Sequence, residues 1–180
     1  KYNKLSKTYD LIICSDMVNL PVFKSLCSNQ LIGVKIIIYF HENQLSYPWS
    51  LHDPDIELKR DLHYYYINYT SSLISDYNYF NSNYHLTSYI DGLKKYLKKM
   101  PDFRNMDTIE LINNKSSVLP IGCELSGVKN INKKSNSPII LWNHRWEYDK
   151  NPDLFFKILF DLNANNIDFQ LIILGENYQD

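Results

Sequence analysis

Two short stretches carry most of the side chains suited to chemistry. The first is His41-Glu42-Asn43-Gln44, four consecutive residues that can each hydrogen-bond, followed by Tyr47, Pro48 and Trp49. Carboxylate and amide groups read sugar hydroxyls, and aromatic faces with a polar edge stack on sugar rings. The bland alternative is a solvated polar turn. The second stretch is Asn143-His144-Arg145-Trp146, which continues through Glu147, Tyr148 and Asp149 to Lys150-Asn151-Pro152. A bidentate arginine, a point-charge lysine and the free amides of a helix start suit a diphosphate. The alternative here is a surface loop in which Arg145 pairs with Glu147 or Asp149. Arginine occurs only at positions 60, 104 and 145 of a lysine-rich chain. That favours a use of its planar fork of donors over a use of its charge alone.

Both stretches follow apolar runs with strand character, and ligands of open parallel sheets bind outside the carboxyl ends of strands. Asp10–Cys14 and Lys35–Phe40 read as strands around a short helix from Leu20 to Asn29, with Val22, Phe23 and Leu26 inward. Strand, helix, strand with short joins is the βαβ signature. Asp53-Pro54 reads as a cap and first turn, opening a helix that ends near Ile74. Tyr77–Phe80 is a weak strand. Ser82–Lys99 is an amphipathic helix, with Leu86, Tyr89, Ile90, Leu93, Tyr96 and Leu97 on one stripe and Lys94, Lys95, Lys98 and Lys99 off it. Pro101–Asn114 reads as irregular, and Ser117–Pro120 as another strand.

The stretch from Leu125 to Ser137 is rich in Asn, Lys and Ser and lacks an apolar pattern, as a linker does. Alternation then restarts. Pro138–Trp142 is a strand, and Asn151-Pro152 opens a helix to about Ala164 with Leu154, Phe155, Ile158, Leu159 and Leu162 inward. Phe169–Leu174 is the next strand, closed by Gly175. The expected organisation is an α/β domain over 1–122, a linker over 123–137 and the beginning of a second domain over 138–180. Strand, helix, strand is too little to close a core, and no glycine-rich first turn opens the chain. The sequence therefore reads as part of something longer. A compact single domain with an internal loop is the competing organisation.

Composition narrows the function classes. The 180 residues are 44% hydrophobic and 22% charged, and the net charge of -1 gives no global pull toward nucleic acid or membrane. Any anionic partner needs a local cluster. The three cysteines, Cys14, Cys27 and Cys123, are widely spaced without a CxxC pair, which argues against a disulfide framework or a zinc site and for a cytoplasmic setting. No apolar run approaches the ~20 residues needed to span a bilayer. Asn68-Tyr69-Thr70 matches a glycosylation sequon by chance in an Asn-rich chain. Asp53-Pro54-Asp55 suits a helix start better than a metal-binding pair, and His63 and His85 suit structural positions.

The two clusters resemble a known family. Tyr39-Phe40-His41-Glu42-Asn43-Gln44-Leu45 with Tyr47-Pro48, and Leu141 through Glu147 with Asp149-Lys150-Asn151-Pro152, are similar to signatures of the tRNA-queuosine α-mannosyltransferases. Phe80-Asn81-Ser82, Met100-Pro101-Asp102 and Leu119-Pro120-Ile121-Gly122 add to the resemblance. It implies a GT-B architecture, two facing Rossmann-like domains with parallel sheets and the site in the cleft, both domains incomplete in this chain. It further implies a retaining transferase of the family 4 kind, with Arg145 and Lys150 on the donor's diphosphate and His41 and Glu42 at the sugar. Asn43, Gln44, Gly122, Asn143, His144, Gly175 and Glu176 would lie near the sugar or nucleotide.

On this resemblance the donor is GDP-mannose, the acceptor queuosine in tRNA, and neither a cofactor nor a metal is required. No stable membrane association is implied, and this stretch alone is expected to be inactive. Two alternatives stay open. One is a related transferase with a lipid or polysaccharide acceptor. The other is a non-catalytic RNA- or nucleotide-binding module.

Overall fold

The computed structural model describes residues 9–46, 61–127 and 137–175, with Pro54 and Leu58. Tyr47, Pro48, Trp49, Asp53, Asp55, Arg60, Glu176 and most of the expected linker lie outside these residues. The chain divides into two compact units, Lys1–Cys123 and Glu124–Asp180.

Unit 1 contains β1 (Leu11–Ser15), α1 (Leu20–Leu26), β2 (Lys35–Phe40), α2 (Asp61–Ile74), β3 (Tyr77–Phe80), α3 (Asn83–Lys98), α4 (Thr108–Asn114) and β4 (Ser116–Val118). The strands form one parallel sheet in the order β1-β2-β3-β4, with Ser15 opposite Tyr39, and Tyr39 opposite Tyr79. Period-two alternation sorts its two faces. Cys14, Ile36, Ile38, Phe40, Asn78 and Phe80 are buried, whereas Leu11, Ile13, Lys35 and Tyr77 on the opposite face are exposed.

The buried face meets α3, whose Tyr89, Leu93, Tyr96 and Leu97 form the expected inward stripe. Phe40 stacks on Phe80 at 4.7 Å between centroids, and Tyr89 packs 4.9 Å from Phe40. This layer lies directly beneath His41 in sequence, so the packed core sets where the first polar cluster begins. Ser82 caps α3 by accepting from the His85 amide, which explains the sharp start there.

Three expectations need correction. The inward face of α1 is Leu20, half-buried Phe23 and the following Cys27, while Val22 and Leu26 are exposed. The helix is only seven residues long, and a Ser28–Gln30 3-10 turn follows it, so a single residue of phase decides which side chains are buried. Thr108–Asn114 is a helix where irregular chain was expected. It buries Ile109 and Ile112 one turn apart without a side-chain cap, so it lacked the usual start signal. In unit 2 the inward residues of the helix are Phe155, Phe156, Leu159 and Leu162, while Leu154 and Ile158 are exposed. A two-stranded sheet covers only a narrow stripe of a helix with apolar side chains on several sides.

Tyr89 is wholly buried, and its one hydroxyl proton is shared between the Asn68 carbonyl at 2.9 Å and the Ser72 hydroxyl at 2.7 Å. Burial pushes its phenol well above the ordinary tyrosine range. Tyr89→Phe should cost about 1 kcal/mol, because it removes the hydrogen bonding of a buried hydroxyl to α2. Urea unfolding of the variant against the parent measures it.

Unit 2 contains β5 (Ile139–Asn143), a 3-10 turn (Tyr148–Lys150), α5 (Pro152–Ala164) and β6 (Gln170–Leu174). The strands are parallel, Asn143 opposite Leu174. Trp142 is its buried centre, packed 4.7 Å from Phe155 and 5.7 Å from Trp146, and Trp146 stacks on Phe156. No helix among the described residues is long and apolar enough to cross a membrane.

Candidate functional site

The His41–Ser46 loop is held from three sides. Asn43 is buried, and its Oδ1 accepts from both the amide and the hydroxyl of Ser46. The Ser46 hydroxyl reaches Ser88 of α3 at 3.2 Å. Gly92 of α3 lets Leu45 approach closely; an added Cβ would lie 2.8 Å from the Leu45 Cβ. From α2, the buried Asn68 side chain accepts from the Gln44 amide at 3.0 Å and donates to the Asp16 carbonyl at 2.8 Å. One amide thus joins the loops after β1 and β2.

The loop presents His41, exposed at its ring, with Glu42 and Gln44 half-buried beside it. Glu42 accepts from the Gln44 side chain. His41 Nδ1 lies 2.5 Å from Oδ1 of Asp16, whose side chain is fully buried. Asp16 follows Ser15, and in the sheet register Ser15 faces Tyr39, so the two strand ends bring Asp16 and His41 together. Asn81, after β3, donates to the His41 carbonyl and sits 3.1 Å from His85 Nδ1. Burial, and then the nearby His41, lower the His85 pKa.

Asp16, His41 and Glu42 each bring one possible ligand atom within 4.8 Å of the others. Two of the three groups are already in direct contact with each other, an arrangement closer to an oriented imidazole than to an open metal site. Beside the loop lies an open groove of about 470 Å³, lined by Leu45, Ser46, Tyr84, Ser88, Asp91 and Lys95.

The second cluster follows β5. Asn143, His144 and Arg145 are exposed. The aromatic packing of Trp142 and Trp146 fixes their base, and Trp142 Nε1 donates to the His144 carbonyl at 3.1 Å. Arg145 pairs with Glu147 at 3.0 Å, and Lys150 with Asp149 at 2.6 Å. The Lys150 hydrogen bond holds the Asp149 carboxyl below the usual carboxylate range. Both cations are therefore engaged by acids of their own loop, each through one contact.

The start of α5 offers little help to an anion. Asn151, in the left-handed region at φ 51°, accepts the Leu154 amide; Pro152 has no N–H, and Asp153 adds a carboxylate to the first turn. Gly175 closes β6 with φ +118°, and a Cβ there would collide with the His144 carbonyl oxygen. Gly175→Ala should therefore destabilise unit 2 by about 2–4 kcal/mol through backbone strain and overpacking. A lower urea midpoint for the tryptophan fluorescence transition is the expected result. Gly122 is exposed and its surroundings would admit a side chain.

Sequence reading missed Asp16, Asn68 and Asn81 as members of the first cluster. The signal for Asp16 was available, a lone acid directly after an apolar strand. Asn68 had registered only as a sequon, and its burial removes it from any glycosylation machinery while the chain is folded.

Parallel strands joined by helices, with hydrogen-bonding and charged side chains gathered where the strands end, define a Rossmann-like α/β protein. Residues 1–123 match the family described as tRNA-queuosine alpha-mannosyltransferase N-terminal, the same span as unit 1. A tRNA-queuosine alpha-mannosyltransferase of Drosophila melanogaster is 35% identical over 155 residues, a match covering 80% of this chain and 40% of the relative. The chain belongs to the tRNA-queuosine alpha-mannosyltransferase family, and it matches less than half the length of that relative.

Proposed function

We propose that the protein is a retaining glycosyltransferase that moves mannose from GDP-mannose to queuosine in tRNA, in the cytoplasm. The observation that carries the reading is the match of unit 1 to the N-terminal part of enzymes named for this reaction. The side chains at the end of β2 suit it. Glu42, Gln44 and the outward edge of His41 are a set of acceptors and donors for sugar hydroxyls, held by a loop that is pinned before any ligand arrives. Preorganisation of this kind lowers the cost of binding.

Departure of the nucleoside diphosphate is the demanding step, because negative charge grows on the leaving phosphate. Arg145 and Lys150 are placed to neutralise it in this reading, exchanging Glu147 and Asp149 for phosphate oxygens. The role falls on these side chains more than on the self-capped start of α5. Asn143, His144 and Gly175 border the same loop. The exposed lysines Lys95 and Lys98 of α3 and Lys99 just after it suit phosphates of a large nucleic-acid acceptor.

The test is incubation of the full-length protein with GDP-mannose and queuosine-bearing tRNA, followed by mass analysis of the nucleosides. One added hexose on queuosine is the expected result. Unchanged tRNA with GDP-mannose still bound would sink the acceptor assignment. No thermal shift with GDP or GDP-mannose would sink the donor assignment.

A further inference from the structure

Asp16 poses a physical problem that the proposed chemistry leaves unanswered. Its side chain is fully buried. Neither carboxylate oxygen makes a hydrogen bond of good geometry, although the His41 ring and the backbone amides of Asp16 and His41 are close by. Burying a carboxylate with so little compensation is costly. The structural work at this position is done by the Asp16 carbonyl, which accepts from Asn68; an uncharged residue would keep that bond.

We propose that Asp16 is a positioning residue for His41: the buried carboxylate holds Nδ1–H toward itself and thereby presents the Nε2 lone pair outward, to accept from a hydroxyl of the bound sugar. An imidazole that gives one ring N–H to a carboxylate has its tautomer and its rotation fixed. The role of the outward nitrogen rests on the transferase reading above; the orientation of the ring does not. Of the groups facing the pair, Glu42 after β2 and His85 of α3 are titratable, while Asn68 of α2 and Asn81 after β3 are neutral amides.

The electrostatics run the same way. Burial, the largest influence, raises the Asp16 pKa, and Glu42 adds to the rise. The two backbone amides oppose it, as would a positive charge on the His41 ring. A folded-state value above the unfolded one gives stability that is complete below the unfolded pKa, about 4, and lost as pH rises through the folded value. Asp16→Asn should therefore melt no lower than the parent at neutral pH, and any gain should shrink in acid.

Nitrogen-15 shifts of the His41 ring in the unmodified protein, assigned by their loss in His41→Ala, read the tautomer directly. The Nδ1–H form is expected. The Nε2–H form would overturn the proposal, whatever the protein does to tRNA. In the full-length protein, Asp16→Asn should lower kcat about 10- to 100-fold with little change in donor KM. The same substitution in a His41→Ala background should cost nothing further. An equal loss in both backgrounds would show that Asp16 acts by another route. A parent protein without transfer activity, yet with the Nδ1–H form, would overturn the function and leave the positioning intact.

Discussion

Arg145→Ala in the full-length protein is expected to reduce turnover about 100- to 1000-fold, the usual effect of removing one donor that stabilises transition-state charge. The guanidinium can offer two parallel N–H donors to a diphosphate, and in its present state its Nη1 lies 3.0 Å from Oε1 of Glu147. Exchange of a carboxylate for a phosphate keeps the geometry and adds charge, so the pairing with Glu147 holds the side chain ready at small cost. An exposed pair of this kind contributes little to stability, and Arg145→Ala should melt close to the parent. Arg145→Lys should recover only part of the rate, because a point charge replaces the fork. Glu147→Gln should bind GDP-mannose at least as well as the parent. Unchanged turnover in Arg145→Ala would remove this residue from the donor site.

The second large effect is structural. Asn68→Ala should destabilise unit 1 by about 2–4 kcal/mol, since it leaves the Gln44 amide and the Asp16 carbonyl without their buried partner, each costing on the order of 1–3 kcal/mol. It should also free the His41–Ser46 loop from α2. Faster hydrogen exchange at the Gln44 amide, together with a lower urea midpoint, is the expected signature. Asn68→Asp keeps an acceptor for Gln44 but loses the donor to Asp16 and adds a second charge beside a buried carboxylate, so it should fare no better. A loop that stays protected in both variants would show that the Asn43 turn and the Ser46–Ser88 contact hold it unaided.

Some residues fell to the wrong side of a correct element for simple reasons. Val22 and Leu26 share a stripe with Phe23 on paper, but α1 is seven residues long and Leu20 sets its rotation by fitting beneath Ser71 of α2, which accepts the Leu20 amide at 3.1 Å. On α5 two apolar stripes compete, and the aromatic packing of Phe155 and Phe156 around Trp142 selects between them. Thr108–Asn114 carries just two buried apolar residues, too few for periodicity to register against the Asp, Asn and Thr around them.

Local chemistry determined the rest. Apolar runs with β-branched residues made Leu11–Ser15, Lys35–Phe40 and Ile139–Asn143 strands, and the caps at Ser82 and Asn151-Pro152 started the helices where hydrogen-bonding side chains could take the first free amides. Those features depend on residues within a turn or two of one another, so the sequence alone placed both polar clusters at strand ends. What it left open was their partners. Asp16 meets His41 because parallel pairing puts the ends of β1 and β2 side by side. Asn68 ties Asp16 to Gln44 because α2 crosses behind both loops. Of the two local partners open to Arg145 it is Glu147 that pairs with it, while Lys150 pairs with the adjacent Asp149 and both cations keep an exposed side. Contacts between distant residues are set by register, helix rotation and packing, and only the tertiary structure specifies those.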